Sequence, residues 1–126
     1  MKYALVTGAS RGIGKAVALR LAKRGFCTII NYLNNHEAAE QVKREIEQEG
    51  GYAELLPFDA SQPQQIEAAI DQWESAHPDE WISILVNNAG IRRDNVMFMM
   101  SNDDWHDVLD TNLNGFFYIC LLYTSD

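Results

Sequence analysis

A glycine-rich stretch, Thr7-Gly8-Ala9-Ser10-Arg11-Gly12-Ile13-Gly14, stands between a short apolar run and a helical pattern near the start of this 126-residue chain. The apolar run ends at Val6, and from Ile13 apolar residues recur at helical spacing. A strand, a glycine turn and a helix in this order present backbone N–H groups to the pyrophosphate of a dinucleotide. A tight turn without a ligand is the alternative, and the context favours dinucleotide binding.

Strand-like and helix-like segments alternate along the rest of the chain. The predicted strands are 2–6, 27–31, 52–58 and 82–86. The predicted helices are 12–24, 36–49, a third that starts at a Ser61–Gln64 capping box and ends at His77-Pro78, and a last one capped by Ser101 with Asp104. A loop is expected at 87–100, between the fourth strand and the last helix.

This β-α-β-α-β-α-β-α order predicts an α/β fold, the N-terminal part of a Rossmann-type doubly wound parallel sheet. Ligands of such sheets bind at the carboxyl ends of the strands, near the point where the strand order reverses. We expect strands one and four to flank that point. The glycine turn and the segment Asn87-Asn88-Ala89-Gly90 would then meet at the same crevice.

Charge and composition exclude several classes of partner and site. The net charge is −8, which disfavours nucleic acid and anionic membranes. No apolar run reaches the roughly 18 residues of a membrane span, and no signal peptide is recognisable, so a cytoplasmic location is expected. Cys27 and Cys120 lack metal-ligand spacing, and we expect no metal site.

Four ordered motifs resemble those of the short-chain dehydrogenase/reductase family. They are the glycine stretch, then Asp59, then Asn87-Asn88-Ala89-Gly90, and then Asp110-Thr111-Asn112-Leu113. Within that family, Ile91-Arg92-Arg93-Asp94-Asn95, Trp105 and Thr111-Asn112-Leu113 look most like 3-oxoacyl-[acyl-carrier-protein] reductases of fatty-acid synthesis. The resemblance implies an oxidoreductase that uses a nicotinamide cofactor.

The resemblance also implies roles for individual residues. Asn112, of the family's catalytic tetrad, would hold a water in the proton relay, and a helix kink or core hydrogen bond is the alternative. Asp59 and Ala60 would lie along the adenine, although an aspartate here also suits a turn or a helix cap. The cofactor-binding residues implied or predicted are Gly8, Ala9, Ser10, Arg11, Gly12, Ile13, Gly14, Asn31, Asp59, Ala60, Asn87, Ala89 and Gly90.

The end of the second predicted strand bears on cofactor choice. Enzymes that prefer NAD carry an acid there, which binds the ribose hydroxyls. This chain has Asn31 instead, which would not repel a 2′-phosphate, and Arg11 offers a matching positive charge. NADP(H) is therefore predicted. Asn31 could instead cap the strand end, and Glu37 could still approach the ribose.

The family's chemistry also needs a serine and a Tyr-x-x-x-Lys pair, and no tyrosine of this chain has a lysine four residues on. We expect residues 1–119 to be the N-terminal part of one reductase domain, inactive alone, with strand four as an exposed edge and marginal folding. Residues 120–126 resemble the in-frame translation of a sequencing adapter and are expected to be non-native. A natural divergent tail is the alternative.

Three functions remain open at this point. The parent protein could reduce a 3-oxoacyl thioester on acyl carrier protein to the 3-hydroxyacyl form with NADPH. It could reduce another small ketone, a sugar or a steroid, or the chain could bind a nucleotide without catalysis. The parent is expected to be a homo-oligomer, with the last helix at a subunit face.

Overall fold

The chain is described from a computed structural model that covers residues 2–87, 97–100, 110–113 and 116–122, with side chains for 2–62 and 64–86. Three helices are present in these ranges: α1 (Gly12–Lys23), α2 (His36–Gln48) and α3 (Pro63–Ala76). The strands are β1 (Tyr3–Val6), β2 (Cys27–Tyr32), β3 (Ala53–Pro57), β4 (Ile82–Asn87), β5 (Met97–Met100), β6 (Asp110–Leu113) and β7 (Phe116–Leu122).

The first four strands form the parallel sheet that the sequence predicts. Over the described residues the strand order is β3-β2-β1-β4-β5-β7-β6. β1 pairs in parallel with β2 on one side and with β4 on the other. The order in which strands are added to the sheet therefore reverses between β1 and β4. The prediction that strands one and four flank the switch point is confirmed, and so is the Rossmann-type fold class.

Helices cover both faces of this sheet. α1 and α2 pack on one face through buried residues at helical spacing, including Val17, Leu21, Val42 and Ile46. α3 packs on the opposite face through Ile66, Ile70 and Trp73. β1 is buried along its whole length, because both of its faces are covered by these two layers.

The segments after β4 differ from the sequence prediction. Part of the expected loop at 87–100 is β5, which pairs antiparallel with β4, so β4 is not the exposed edge that we expected. The predicted last helix is wrong where it is described: β6 and β7 form an antiparallel pair with Leu113 opposite Phe116. Ser101, Asp104 and Trp105 lie outside the described residues.

Two local signals explain why this segment forms strands. Residues 116–122 read FFYICLL, an aromatic and apolar run without a charged residue, which favours a strand. The dipeptide Asn114-Gly115, a strong hairpin signal, separates the two strands in the sequence. The apolar spacing taken alone also fits the helix that the sequence predicts here.

The start of α3 also corrects a prediction. Gln62, not Ser61, is the N-cap of α3, and its side chain makes no cap hydrogen bond. The Ser61 hydroxyl instead donates to Asp59 Oδ1 at 2.6 Å. The Gln65 side chain reaches back to accept from the Asp59 backbone N–H at 3.2 Å. The loop before α3 is therefore stabilised around Asp59.

The strand starts form the amino edge of the sheet, where acidic and aromatic side chains meet. Glu54 accepts hydrogen bonds from Trp73 Nε1 at 3.0 Å and from the Tyr52 hydroxyl at 2.9 Å. The His77 ring stacks on Trp73 with centroids 3.8 Å apart, and Tyr3 meets Trp73 edge-on. This cluster ties β1, β3 and α3 together.

No helix in the described ranges is long and apolar enough to cross a membrane.

Candidate functional site

The carboxyl edge of the sheet, where β1, β2, β3 and β4 end, carries most of the predicted site residues. The Thr7–Arg11 turn leaves β1 and leads directly into α1. Its start is fixed by backbone hydrogen bonds, from Thr7 N–H to Val86 O at 3.0 Å and from Ala9 N–H to Asn31 O at 2.9 Å. The turn is thus held against both strands that neighbour β1.

The N-terminus of α1 lacks the groups that usually satisfy a helix start. Arg11 is the N-cap with extended backbone, no side chain caps this terminus among the described residues, and the first turn contains no acidic residue. α2 differs, because Asn35 accepts from the Ala38 N–H at 3.0 Å and Glu37 lies in the first turn. The first N–H groups of a helix have no intrahelical acceptor, so α1 offers its donors and its positive dipole end to an anion.

Glycine is required at two positions of this turn. Gly8 and Gly12 both have φ of +61°, the left-handed region that side chains rarely adopt. A Cβ added at Gly12 would meet no atom within 4 Å. The space above Gly12 is therefore open, and a phosphate group can approach the backbone there. Ser10 is half-buried, while Arg11 is exposed beside this space.

Asn31 lies inside the protein, and its position revises the sequence interpretation. The side chain is 1% exposed. Its Oδ1 accepts from the Gly8 N–H at 3.0 Å, and its Nδ2 donates to the carbonyls of Leu56 at 3.0 Å and Phe58 at 3.1 Å. The amide is thus engaged within the protein, whereas the sequence suggested a residue facing the ribose. Its direct contact with a cofactor stays a prediction that these bonds do not support.

Asp59 and Ala60 follow β3 at the same edge. The Ser61 hydroxyl and backbone N–H both donate to the Asp59 carboxylate, at 2.6 and 3.0 Å, and they lower the pKa of this carboxyl below its usual value. The ionised Asp59 carboxylate therefore stabilises the turn before α3, which is the alternative role that the sequence offers for this residue. Ala60 is buried against the α3 layer. Contact of this segment with an adenine remains a prediction.

Sequence reasoning missed one pair at this edge. The Tyr32 hydroxyl lies 2.6 Å from His36 Nδ1, and Tyr32 is the last residue of β2. The pair joins the strand end to the first residue of α2. The spacing of four residues across a strand-to-helix loop is the signal that could have indicated it.

The remaining predicted residues are only partly described. Asn87 is the last residue of β4, beside the end of β1. Asn112 lies in β6 opposite Phe117, not on a helix. Ala89 and Gly90 lie outside the described residues. The described side chains that the structure brings together are therefore those of the turn after β1, the end of β2 and the loop after β3.

Comparison with known proteins identifies the family. The family model described as short chain dehydrogenase matches residues 2–125. This chain belongs to the short-chain dehydrogenases. The resemblance carried by the four sequence motifs is thereby confirmed, and the chain is of oxidoreductase type.

Curated relatives refine this assignment. The chain is 42% identical to the 3-oxoacyl-[acyl-carrier-protein] reductase FabG of Staphylococcus aureus, over 92% of this chain and 46% of that protein. It is 43% identical to a 3-oxoacyl-[acyl-carrier-protein] reductase of Synechocystis, with the same coverage. The chain spans a little under half the length of these relatives.

Solved structures show the same fold. A metagenomic short-chain oxidoreductase in complex with NADP matches with a TM-score of 0.62 and 39% identity, over 71% of this chain and 39% of the other. A dehydrogenase/reductase from Sinorhizobium meliloti matches with a TM-score of 0.59 and 43% identity, over 67% of this chain and 32% of the other.

Proposed function

We propose that this chain is the dinucleotide-binding half of an NADPH-dependent reductase that converts 3-oxoacyl-[acyl-carrier-protein] to the 3-hydroxyacyl form. The observation that carries the proposal is the start of α1, where a glycine turn with open space above Gly12 meets a helix end that no described side chain caps. An anionic pyrophosphate fits this donor set because the backbone N–H groups supply hydrogen bonds and the helix dipole supplies positive potential.

The charges around this turn support a preference for NADP(H). Arg11 is exposed at the N-cap of α1, and its guanidinium suits a 2′-phosphate. The described carboxyl end of β2 has Asn31 and Tyr32 and no carboxylate. A carboxylate there would bind ribose hydroxyls and repel a 2′-phosphate. The metagenomic short-chain oxidoreductase described above was solved in complex with NADP, which supports the proposed preference.

The residues of this chain would bind and orient the cofactor. The α1 N-terminus would hold the pyrophosphate, and the loop around Asp59 would border the adenosine. When bound, the nicotinamide supplies the hydride. The family handles the proton with a Ser and a Tyr-x-x-x-Lys pair. No tyrosine of this sequence has a lysine four residues on, so we propose that the chain alone binds nucleotide without reducing a substrate.

The substrate class rests on relatedness rather than on a pocket. Both curated relatives described above are named as reductases of 3-oxoacyl-[acyl-carrier-protein]. The corresponding proposals for the parent protein are an acyl-carrier-protein-bound ketone as substrate, homo-oligomeric assembly and a cytoplasmic location. A reductase of another ketone or of a sugar is the second candidate.

The experiment is to sequence the source DNA past the codon for Phe117, express the whole reading frame and follow NADPH oxidation. The substrates are acetoacetyl-acyl carrier protein and a panel of sugars and small ketones. We expect a frame that continues into a Ser and a Tyr-x-x-x-Lys, and oxidation that depends on the thioester. A variant with Phe in place of that tyrosine is the inactive control. Faster oxidation with another ketone would overturn the substrate class, and a frame that ends at Asp126 would overturn the reductase.

A further inference from the structure

Asn31 connects two segments that the sheet itself does not join. β1 and β3 are not neighbours, because β2 lies between them. The glycine turn follows β1, and the Asp59 loop follows β3. The Asn31 side chain crosses this gap, since it accepts from Gly8 N–H at 3.0 Å and donates to Phe58 O at 3.1 Å.

All the hydrogen-bonding capacity in these contacts is directed at backbone groups. The Asn31 Nδ2 group donates to the carbonyls of Leu56 and Phe58, and the side-chain Oδ1 accepts from the Gly8 N–H. The Asn31 backbone carbonyl accepts from the Ala9 N–H at 2.9 Å. A buried amide of this kind is costly unless every group is satisfied. Asparagine fits because it supplies an acceptor and two donors on one short side chain.

We propose that Asn31 is a positioning residue for the dinucleotide site: its amide sets the distance between the glycine turn and the Asp59 loop and does not read the ribose. This rests on the proposed function. Asn31 therefore acts on NADPH and NADH alike, because it fixes the segments that would hold the pyrophosphate and adenine that both share. Asn31→Asp does not convert the preference to NADH, since its carboxylate would face the Leu56 and Phe58 carbonyls.

The test compares dissociation constants of NADPH and NADH for the full chain and for Asn31→Ala and Asn31→Asp, at a temperature where all remain folded by circular dichroism. Ile70→Ala is the matched control, because it empties a buried site in the α3 layer, away from the turn. We expect both dissociation constants to rise together by about tenfold in Asn31→Ala and by no more than about twofold in Ile70→Ala. A reversal of preference toward NADH in Asn31→Asp, or equal effects of Asn31→Ala and Ile70→Ala, would overturn the proposal.

Hydrogen exchange separates this proposal from the proposed function. The Gly8 amide, which donates to Asn31 Oδ1, should exchange slowly in the original chain and much faster in Asn31→Ala but not in Ile70→Ala. If the original chain binds neither nucleotide, the proposed function fails, and Gly8 exchange still decides whether Asn31 holds the turn. Equal exchange in all three chains would overturn the positioning role itself.

Discussion

Polar side chains cross-link both the carboxyl edge and the amino edge of the parallel sheet, but they differ in burial and in chemistry: Asn31 is buried, whereas Glu54 and Glu74 are half-buried. At the carboxyl edge Asn31 bonds only neutral backbone groups, and the start of α1 has no acidic residue. At the amino edge Glu54 accepts from Trp73 and Tyr52, and Glu74 accepts from Ile82 N–H. An anionic dinucleotide is compatible with the first edge and is repelled by carboxylates at the second.

Cross-linking by polar side chains therefore does not by itself identify a binding site. Both edges are well connected, yet among the described residues only the carboxyl edge combines open space at Gly12 with a helix start that no side chain caps. Changes at the carboxyl edge should therefore alter nucleotide affinity, whereas changes at the amino edge should alter only stability.

Charge reversal at Arg11 should have the largest effect. Arg11→Glu places a carboxylate at the N-cap of α1 and should weaken NADPH binding by about 100-fold, because charge-assisted hydrogen bonds are lost and repulsion is added. NADH should be affected less. Arg24→Glu, with the same change in net charge at the other end of α1, is the control. Equal loss of NADPH affinity in both variants by calorimetry would contradict the site assignment.

Alanine at Gly12 should affect binding next. Gly12 and Gly25 both have positive φ, and an added Cβ meets no atom within 4 Å at either. Alanine should therefore lower the free energy of unfolding by about 1 kcal/mol at each position. Only Gly12→Ala places a methyl group in the proposed phosphate space, where we expect about tenfold weaker NADPH binding. NADPH is titrated into Gly12→Ala and Gly25→Ala in parallel. Equal NADPH affinities of the two variants would refute the proposed phosphate site at Gly12.

Trp73→Phe tests the amino edge. The phenyl ring keeps most of the packing but loses the N–H that bonds Glu54 at 3.0 Å. We expect a decrease of about 1 kcal/mol in the free energy of unfolding, measured by urea denaturation. NADPH affinity should stay unchanged. A large fall in affinity without unfolding would show that the two edges are not independent.

High pH tests the amino edge through Tyr3. Burial and the Glu80 carboxylate raise the pKa of Tyr3 from 10.0 to about 12. Because the folded protein favours the protonated phenol, this contribution is fully present below pH 10 and is lost as the pH rises through about 12. The melting temperature should fall less steeply over this window in Tyr3→Phe. If the melting temperatures of the original chain and Tyr3→Phe fell identically with pH, the raised pKa of Tyr3 would be contradicted.

The first seven elements could be predicted because their apolar periods are strong and glycine marks the helix ends. Gly25 and Gly50 follow α1 and α2 with positive φ, as such ends require. The strands after β4 could not be predicted from spacing alone, because an apolar run such as 116–122 satisfies both helical and strand periods. β5 pairs with β4 and also with β7, and its partners in β7 lie 22 residues further along the chain, for example Cys120 opposite Phe98.

The candidate site was predictable in its backbone and less so in its side chains. The glycine turn lies where its motif indicates, because strand, turn and helix are local features. The role of Asn31 depends on Gly8, Leu56 and Phe58, which are 23 to 27 residues away. No pattern near Asn31 encodes those bonds, so its position at a strand end suggested a ligand contact.

A fluorescence titration of the 126-residue chain with NADPH and with NADH at neutral pH would test the proposed dinucleotide site directly. We expect saturable binding of both nucleotides, with a dissociation constant for NADPH that is lower than that for NADH by at least about tenfold. Tighter binding of NADH, or no binding of either nucleotide by a chain that is folded by circular dichroism, would contradict this expectation.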